Sequence, residues 1–181
     1  MLIYELSSVI SENLPQAPGI SPRLRSLLYA RGAKTIEEME QFLHPGEGQF
    51  CDPFDFKDMD IGAERIRAAV GSERICVFGD YDADGVCATA ILADCLASMG
   101  ADVIYRIPSR HEEGYGLSIA AVERLKQEGV GLIVTVDNGV KAYGEIDRCR
   151  ELGMDVVVTD HHRCDGRIPE CCAVVCHTRD D

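Results

Sequence analysis

Three aspartates occupy alternate positions in the stretch Val77-Phe78-Gly79-Asp80-Tyr81-Asp82-Ala83-Asp84-Gly85, between an apolar run and a glycine. Farther along stand Asp137-Asn138-Gly139 and Asp160-His161-His162, each directly behind another apolar run. Carboxylates and imidazoles with no thiolate among them suit Mn²⁺ or Mg²⁺, and suit Zn²⁺ less well. Several carboxylates converging from separate segments can hold two ions, with one carboxylate bridging them. Two hard cations side by side activate a water and clamp the oxygens of a phosphoryl group. Each group alone has an ordinary alternative. Asp84 could be a turn former or a helix N-cap, Asp-Asn-Gly a plain turn, and the histidine pair a solvated loop. What decides between these is whether the fold brings the groups together.

The elements around them suggest that it does. From Arg74 onward, short apolar runs alternate with helical patterns: RICVF, ADVIYRI, GLIVTV, MDVVVT and CCAVVC read as strands. Between them GVCATAILADCLASMG, SIAAVERLKQEG and KAYGEIDRCRELG read as helices. This β-α-β order with nearly continuous apolar strands predicts an α/β fold, a parallel sheet with helices on both faces. In such sheets ligands bind beyond the carboxyl ends of the strands. Every polar cluster falls there: Asp80, Asp82 and Asp84 after the first strand, PSRHEEGYGLS with Arg110 after the second, Asp137 after the third and Asp160-His161-His162 after the fourth. So many carboxylates at one sheet edge repel each other strongly unless a cation sits among them. A metal site is the economical reading.

Upstream of the sheet, SPRLRSLLYARG, TIEEMEQFLHP and DMDIGAERIRAAVG have helical spacing and stop signals in glycine or proline. These predict a small helical leader over residues 1–70 and an α/β domain over 71–181.

Composition bounds the remaining choices. The chain has 181 residues, 46% of them apolar, which allows one domain with a sizeable core plus a small appendage. Its apolar runs are far short of a bilayer span, and MLIYELSSVI lacks the basic start and cleavage site of a signal peptide. No membrane partner and a cytoplasmic location are expected. Nine cysteines are many, but several sit at apolar positions (Cys76, Cys87, Cys95), so reduced thiols are expected. A zinc site from Cys164, Cys171, Cys172, Cys176 and His177 is disfavoured by irregular spacing without a C-x-x-C pair. The formal charge of −13 argues against nucleic acid unless bound divalent cations invert the local field.

The ordered motifs GDYDADG, TVDNG and VTDHH resemble the DHH phosphoesterase superfamily. Within it, three features are similar to the RecJ-type single-stranded-DNA-specific exonucleases. The first motif lacks the histidine that other DHH phosphatases place ahead of the aspartate pair. The second loop IPSRHEEGYGLS and the leader RGAKTIEEMEQFLHP…DPFDFKDMDIGAERI complete the likeness. The resemblance implies a Rossmann-like DHH domain with Asp80, Asp82, Asp84, Asp137 and His161 as ligands of two Mn²⁺ or Mg²⁺ ions, Asp137 bridging them. Asp82, Asp84, Asp137, His161 and His162 would form the catalytic set. His162 would face the scissile phosphate, Asp160 would orient an imidazole, and Arg110 would hold a substrate phosphate unless it simply pairs with Glu112 or Glu113. A further metal-binding aspartate, a DHHA1 domain and other DNA-binding domains of such enzymes have no counterpart here, so the chain is expected to be an N-terminal portion of one. Cys176-His177 stands where those proteins tend to have Asn-Pro.

The expected function is therefore metal-dependent phosphodiester hydrolysis, 5′ to 3′ on single-stranded DNA in repair and recombination, with other repair proteins as further partners. The alternatives are a DHH phosphatase acting on short oligonucleotides or cyclic dinucleotides, and a non-catalytic interaction module with the same fold.

Overall fold

A computed structural model describes residues 14–109 and 115–179. Contacts divide the chain into two compact units, separated between Cys51 and Asp52.

In the first unit, α1 (Pro22–Ala30) starts with proline behind the N-cap Ser21, whose hydroxyl accepts from Leu24 N. The second helix, α2 (Ile36–Leu43), opens on a reciprocal capping box between Thr35 and Glu38. Met39, Leu28, Ile20, Ala17 and Ala33 close a small core of their own.

The second unit begins earlier than the sequence pattern suggests. Helix α3 (Met59–Ala69) reads as the end of the leader, yet it lies on the sheet. The physical reason is close packing: a Cβ on Gly62 would stand 3.2 Å from Val157 Cγ1 and 3.4 Å from Ala173 Cβ. Asp58, just before the helix, accepts from Val174 N at 3.2 Å and from Arg179 Nη1 at 2.6 Å, tying α3 to the last strand.

The sheet comprises β1 (Arg74–Phe78), β2 (Asp102–Arg106), β3 (Val130–Val136), β4 (Asp155–Thr159) and β5 (Ala173–Val175), all parallel, in the order β2-β1-β3-β4-β5. The predicted α/β class is what the structure has. Between the strands run α4 (Ala83–Ser98), α5 (Ile119–Gln127) and α6 (Tyr143–Glu151). Strand alternation sorts the core into two layers. Ile75, Val77, Leu132, Val134, Val157 and Ala173 pack beside Ile66 of α3, Val70 just past its end, and Ala88 and Leu92 of α4. Cys76, Phe78, Ile133, Val156, Val158 and Val174 face Val122 and Leu125 of α5 and Ile146 of α6. Each fully buried aliphatic side chain contributes roughly 1.5–3 kcal/mol.

Strand order reverses between β1 and β3, which opens a crevice at the carboxyl edge of the sheet. Among the described residues, no helix is long and apolar enough to cross a membrane.

Candidate metal centre

The loop after β1 is built around two glycines. A Cβ on Gly85 would lie 2.5 Å from the backbone N and O of Asp80, and one on Gly79 would overlap the Thr89 hydroxyl. Only glycine lets the first turn of α4 settle directly over the end of β1. Asp82 is the N-cap of α4, its Oδ1 accepting from Asp84 N at 2.9 Å and Gly85 N at 3.1 Å. The capping role weighed for Asp84 thus falls to Asp82, and the helix starts two residues before Gly85. These N–H groups, Gly85 first, hold the Asp82 carboxyl below its ordinary range. Asp80 is buried at 1% exposure.

After β3, Asp137 takes a left-handed backbone at φ 62°. Its N–H donates to Thr159 O at 3.0 Å. The next residue, Asn138, is fully buried and donates through Nδ2 to Phe78 O at 3.1 Å and Val136 O at 2.9 Å. It therefore staples the ends of β1 and β3 together. Gly139 follows at φ 109°, where a Cβ would meet Thr135 Oγ1 at 2.5 Å.

After β4, Asp160 is spent on its own loop. Oδ1 accepts from His161 N at 2.7 Å, His162 N at 3.0 Å and His162 Nδ1 at 2.7 Å. Its Oδ2 accepts from Val140 N at 3.0 Å. A carboxylate that accepts from Nδ1 selects the Nδ1–H tautomer of His162 and leaves the lone pair on Nε2. From below, Thr178 donates its hydroxyl to His162 O at 2.6 Å.

Convergence is what these loops produce. Asp80, Asp82 and Asp137 form one group and Asp137, His161 and His162 a second, with the ligand atoms of each group within 4.8 Å of one another. Asp137 belongs to both. His161 Nε2 stands 2.8 Å from Asp137 Oδ1. His161 is thus the partner of Asp137 Oδ1, while Asp137 Oδ2 and Asp80 Oδ1 accept no hydrogen bond among the described residues. Buried carboxylate oxygens left without donors are rare and costly. Hard acceptor oxygens, two imidazoles and no thiolate fit a pair of divalent cations such as Mn²⁺ or Mg²⁺. Burial raises the Asp137 carboxyl above its ordinary range, with the Asp82 charge adding to the effect and His161 opposing it.

Asp84 lies outside both groups and lines the adjoining cleft of about 410 Å³ with Asp137 and His161. Arg110 falls outside the described residues. A second cleft, about 470 Å³, opens on the other side of His162 between Tyr115, Lys141, Glu145 and Arg163. Neither metal-compatible group contains a cysteine; Cys164 and Cys176 are buried thiols with their sulfurs 3.9 Å apart.

Three side chains with a part in this geometry were not singled out from the sequence. Asn138 was legible only as a turn residue, and Thr178 carried no signal. Tyr115 is the third: its hydroxyl donates to Asp137 O at 3.2 Å and lies 3.2 and 3.3 Å from the two ring nitrogens of His162. The only hint was its place in the glycine-flanked segment EGYGLS.

Known proteins resemble this chain in sequence and in fold. The chain is 41% identical over 165 residues to the single-stranded-DNA-specific exonuclease RecJ of Bacillus subtilis, an alignment covering 91% of this chain and 21% of that protein. It thus spans about a fifth of the length of that curated relative. A crystal structure of exonuclease RecJ bound to manganese superposes with a TM-score of 0.64 at 38% identity, over 70% of this chain and 33% of the other. RecJ from Thermus thermophilus in complex with Mn²⁺ gives 0.63 at 30% identity, over 87% and 21%. Residues 74–181, the sheet and all of its carboxyl-edge loops, match the N-terminal domain of the DHH family. The chain belongs to the DHH family.

Proposed function

We propose that this chain supplies the metal-binding part of a hydrolase that removes nucleotides from the 5′ end of single-stranded DNA. One observation carries the reading: a single buried carboxylate, Asp137, is shared by two ligand groups of hard oxygen and imidazole donors. The DNA substrate is supported by the curated relatives, which are named as single-stranded-DNA-specific exonucleases. The ions are supported by the RecJ structures that contain manganese. Two such ions, held by Asp80, Asp82, Asp137 and His161, would supply the Lewis acid that activates water and neutralises the phosphoryl oxygens.

The protein's own groups do the rest. The α4 N–H groups, Gly85 first, bind the Asp82 carboxylate and hold its pKa below the ordinary range. Asp160 orients the His162 ring toward the scissile phosphate, where it can interact with charge developing on oxygen. Asp84 lines the cleft beside the first group, and Arg110 would grip a substrate phosphate in the bidentate manner that guanidinium allows. The proposed setting is cytoplasmic DNA repair and recombination. The DHHA1 and DNA-binding domains that the family resemblance implies would close over the crevice.

The test is Mn²⁺ binding by the 181-residue chain, alongside nucleotide release from 5′-phosphorylated single-stranded DNA, with Asp82→Ala and His161→Ala. Binding lost in both variants is expected, with little or no turnover by this chain alone. Binding or nucleotide release that survives both substitutions would overturn the assignment.

A further inference from the structure

We infer that Tyr115 is a positioning residue of the metal centre, fixing the backbone of Asp137 through its hydroxyl and bounding the ring of His162 edge-on; the inference rests on the function proposed above. Tyr115 reaches each of the other three loops at the sheet edge. Its ring meets Tyr81 edge-on at 6.3 Å and His162 edge-on at 5.7 Å. Its hydroxyl lies 3.2 Å from Asp137 O. A carbonyl can only accept, so the phenolic proton points at Asp137; Asp160 takes the Nδ1–H of His162, and the tyrosine meets that ring by its edge.

Asp137 is non-glycine at positive φ, a sparsely populated region that persists only where neighbours over-determine it. Thr159 O fixes its N–H at 3.0 Å, and Tyr115 fixes its carbonyl. Because Asp137 serves both ligand groups, a turn of its peptide misplaces both together.

A purely packing role does not account for Tyr115. The residue remains 53% exposed, whereas Leu117, two positions on, is 6% exposed and supplies the apolar anchor of the segment. What the fold uses is the polar end of the tyrosine.

The experiment compares Tyr115→Phe and Tyr115→Ala with Tyr105→Phe, a control on β2 that is 61% exposed. Mn²⁺ affinity of the full chain is measured by calorimetry. The Asn138 amide and His162 ring resonances are followed in the metal-free protein. Losing one hydrogen bond to the Asp137 carbonyl should weaken Mn²⁺ binding about fivefold in Tyr115→Phe. The Asn138 amide, which shares the Asp137 peptide, and the His162 ring should shift, with the thermal midpoint lowered by no more than about 2–4 °C and the Tyr105→Phe control at wild type. Wild-type affinity and an unmoved Asn138 amide in Tyr115→Phe would overturn the inference, as would a defect seen only in Tyr115→Ala. Should the wild type bind no Mn²⁺, the proposed function falls; the metal-free resonances still decide whether Tyr115 places Asp137.

Discussion

Asp137→Asn should stabilise the metal-free protein while removing its capacity to bind Mn²⁺. Asparagine has the same shape as aspartate and tolerates left-handed backbone, so the φ of 62° is kept. The charge is removed, and the new amide N–H₂ can face the Asp80 and Asp82 carboxylates while the remaining oxygen faces His161. Asp137 lies within 4.8 Å of ligand oxygens on Asp80 and Asp82. At that separation one pair of like charges costs about 0.9 kcal/mol in water and about 3.5 kcal/mol at an effective dielectric constant of 20. The half-exposed His161, 2.8 Å away, returns part of this to the wild type. A net gain of about 1–2 kcal/mol is therefore expected, or roughly 3–6 °C in the melting midpoint. The pH dependence has a definite sign. Burial and Asp82 raise the folded-state Asp137 carboxyl above its ordinary value, so the unfolded chain releases that proton first. Wild-type stability falls as pH rises from about 3.9 through the raised folded value, and the advantage of the variant opens over that window. Below it the two proteins should melt alike. The assay is a pair of melts at neutral pH, in EDTA and in excess Mn²⁺. At a hundredfold excess over the dissociation constant, Mn²⁺ should stabilise the wild type by about 2.7 kcal/mol and leave the variant unmoved. A variant that melts below wild type in EDTA, or gains equally from Mn²⁺, would refute the charge-repulsion argument.

Two further substitutions probe the scaffold. Gly85→Ala places a methyl 2.5 Å from the Asp80 backbone and should cost about 1–3 kcal/mol in chemical denaturation, with Mn²⁺ affinity falling as Asp82 and Asp80 separate. Asp160→Asn keeps the volume but puts an N–H₂ donor in place of one oxygen, against either Val140 N or the three N–H groups of the His161-His162 loop. It should destabilise by about 1–3 kcal/mol and weaken Mn²⁺ binding, read by denaturation and calorimetry.

The parts of this centre that the sequence made legible are those governed by local rules. Strands such as RICVF and MDVVVT are short apolar runs closed by polar residues, and a parallel sheet buries such runs on both faces. That alone places Asp80, Asp137 and His161 at one edge, because parallel strands end on the same side. Side-chain reach obeys no such rule. Tyr115 meets Asp137 across 22 positions of sequence, and nothing in EGYGLS states the direction of its ring. Asn138 looks like a turn former, yet its amide bridges two strand ends 60 and 2 positions away. The division between the units was hidden for a similar reason. Helix α3 has the amphipathic pattern of a leader helix, and only the glycine at position 62 marks a surface laid against the sheet.

That one carboxylate serves both ligand groups has a consequence for how the centre fills and fails. Two receptors with separate walls would have independent occupancies, and damage to one would spare the other. Here Asp137 is a common wall, so the groups form a single thermodynamic unit. A cation in the first relieves the repulsion that a second would otherwise meet, and also claims oxygen the second must share. Substitutions at Asp82 and at His161, on loops from different strands, therefore have free energies that do not add. On the proposed function, occupancy of one group is therefore coupled to occupancy of the other.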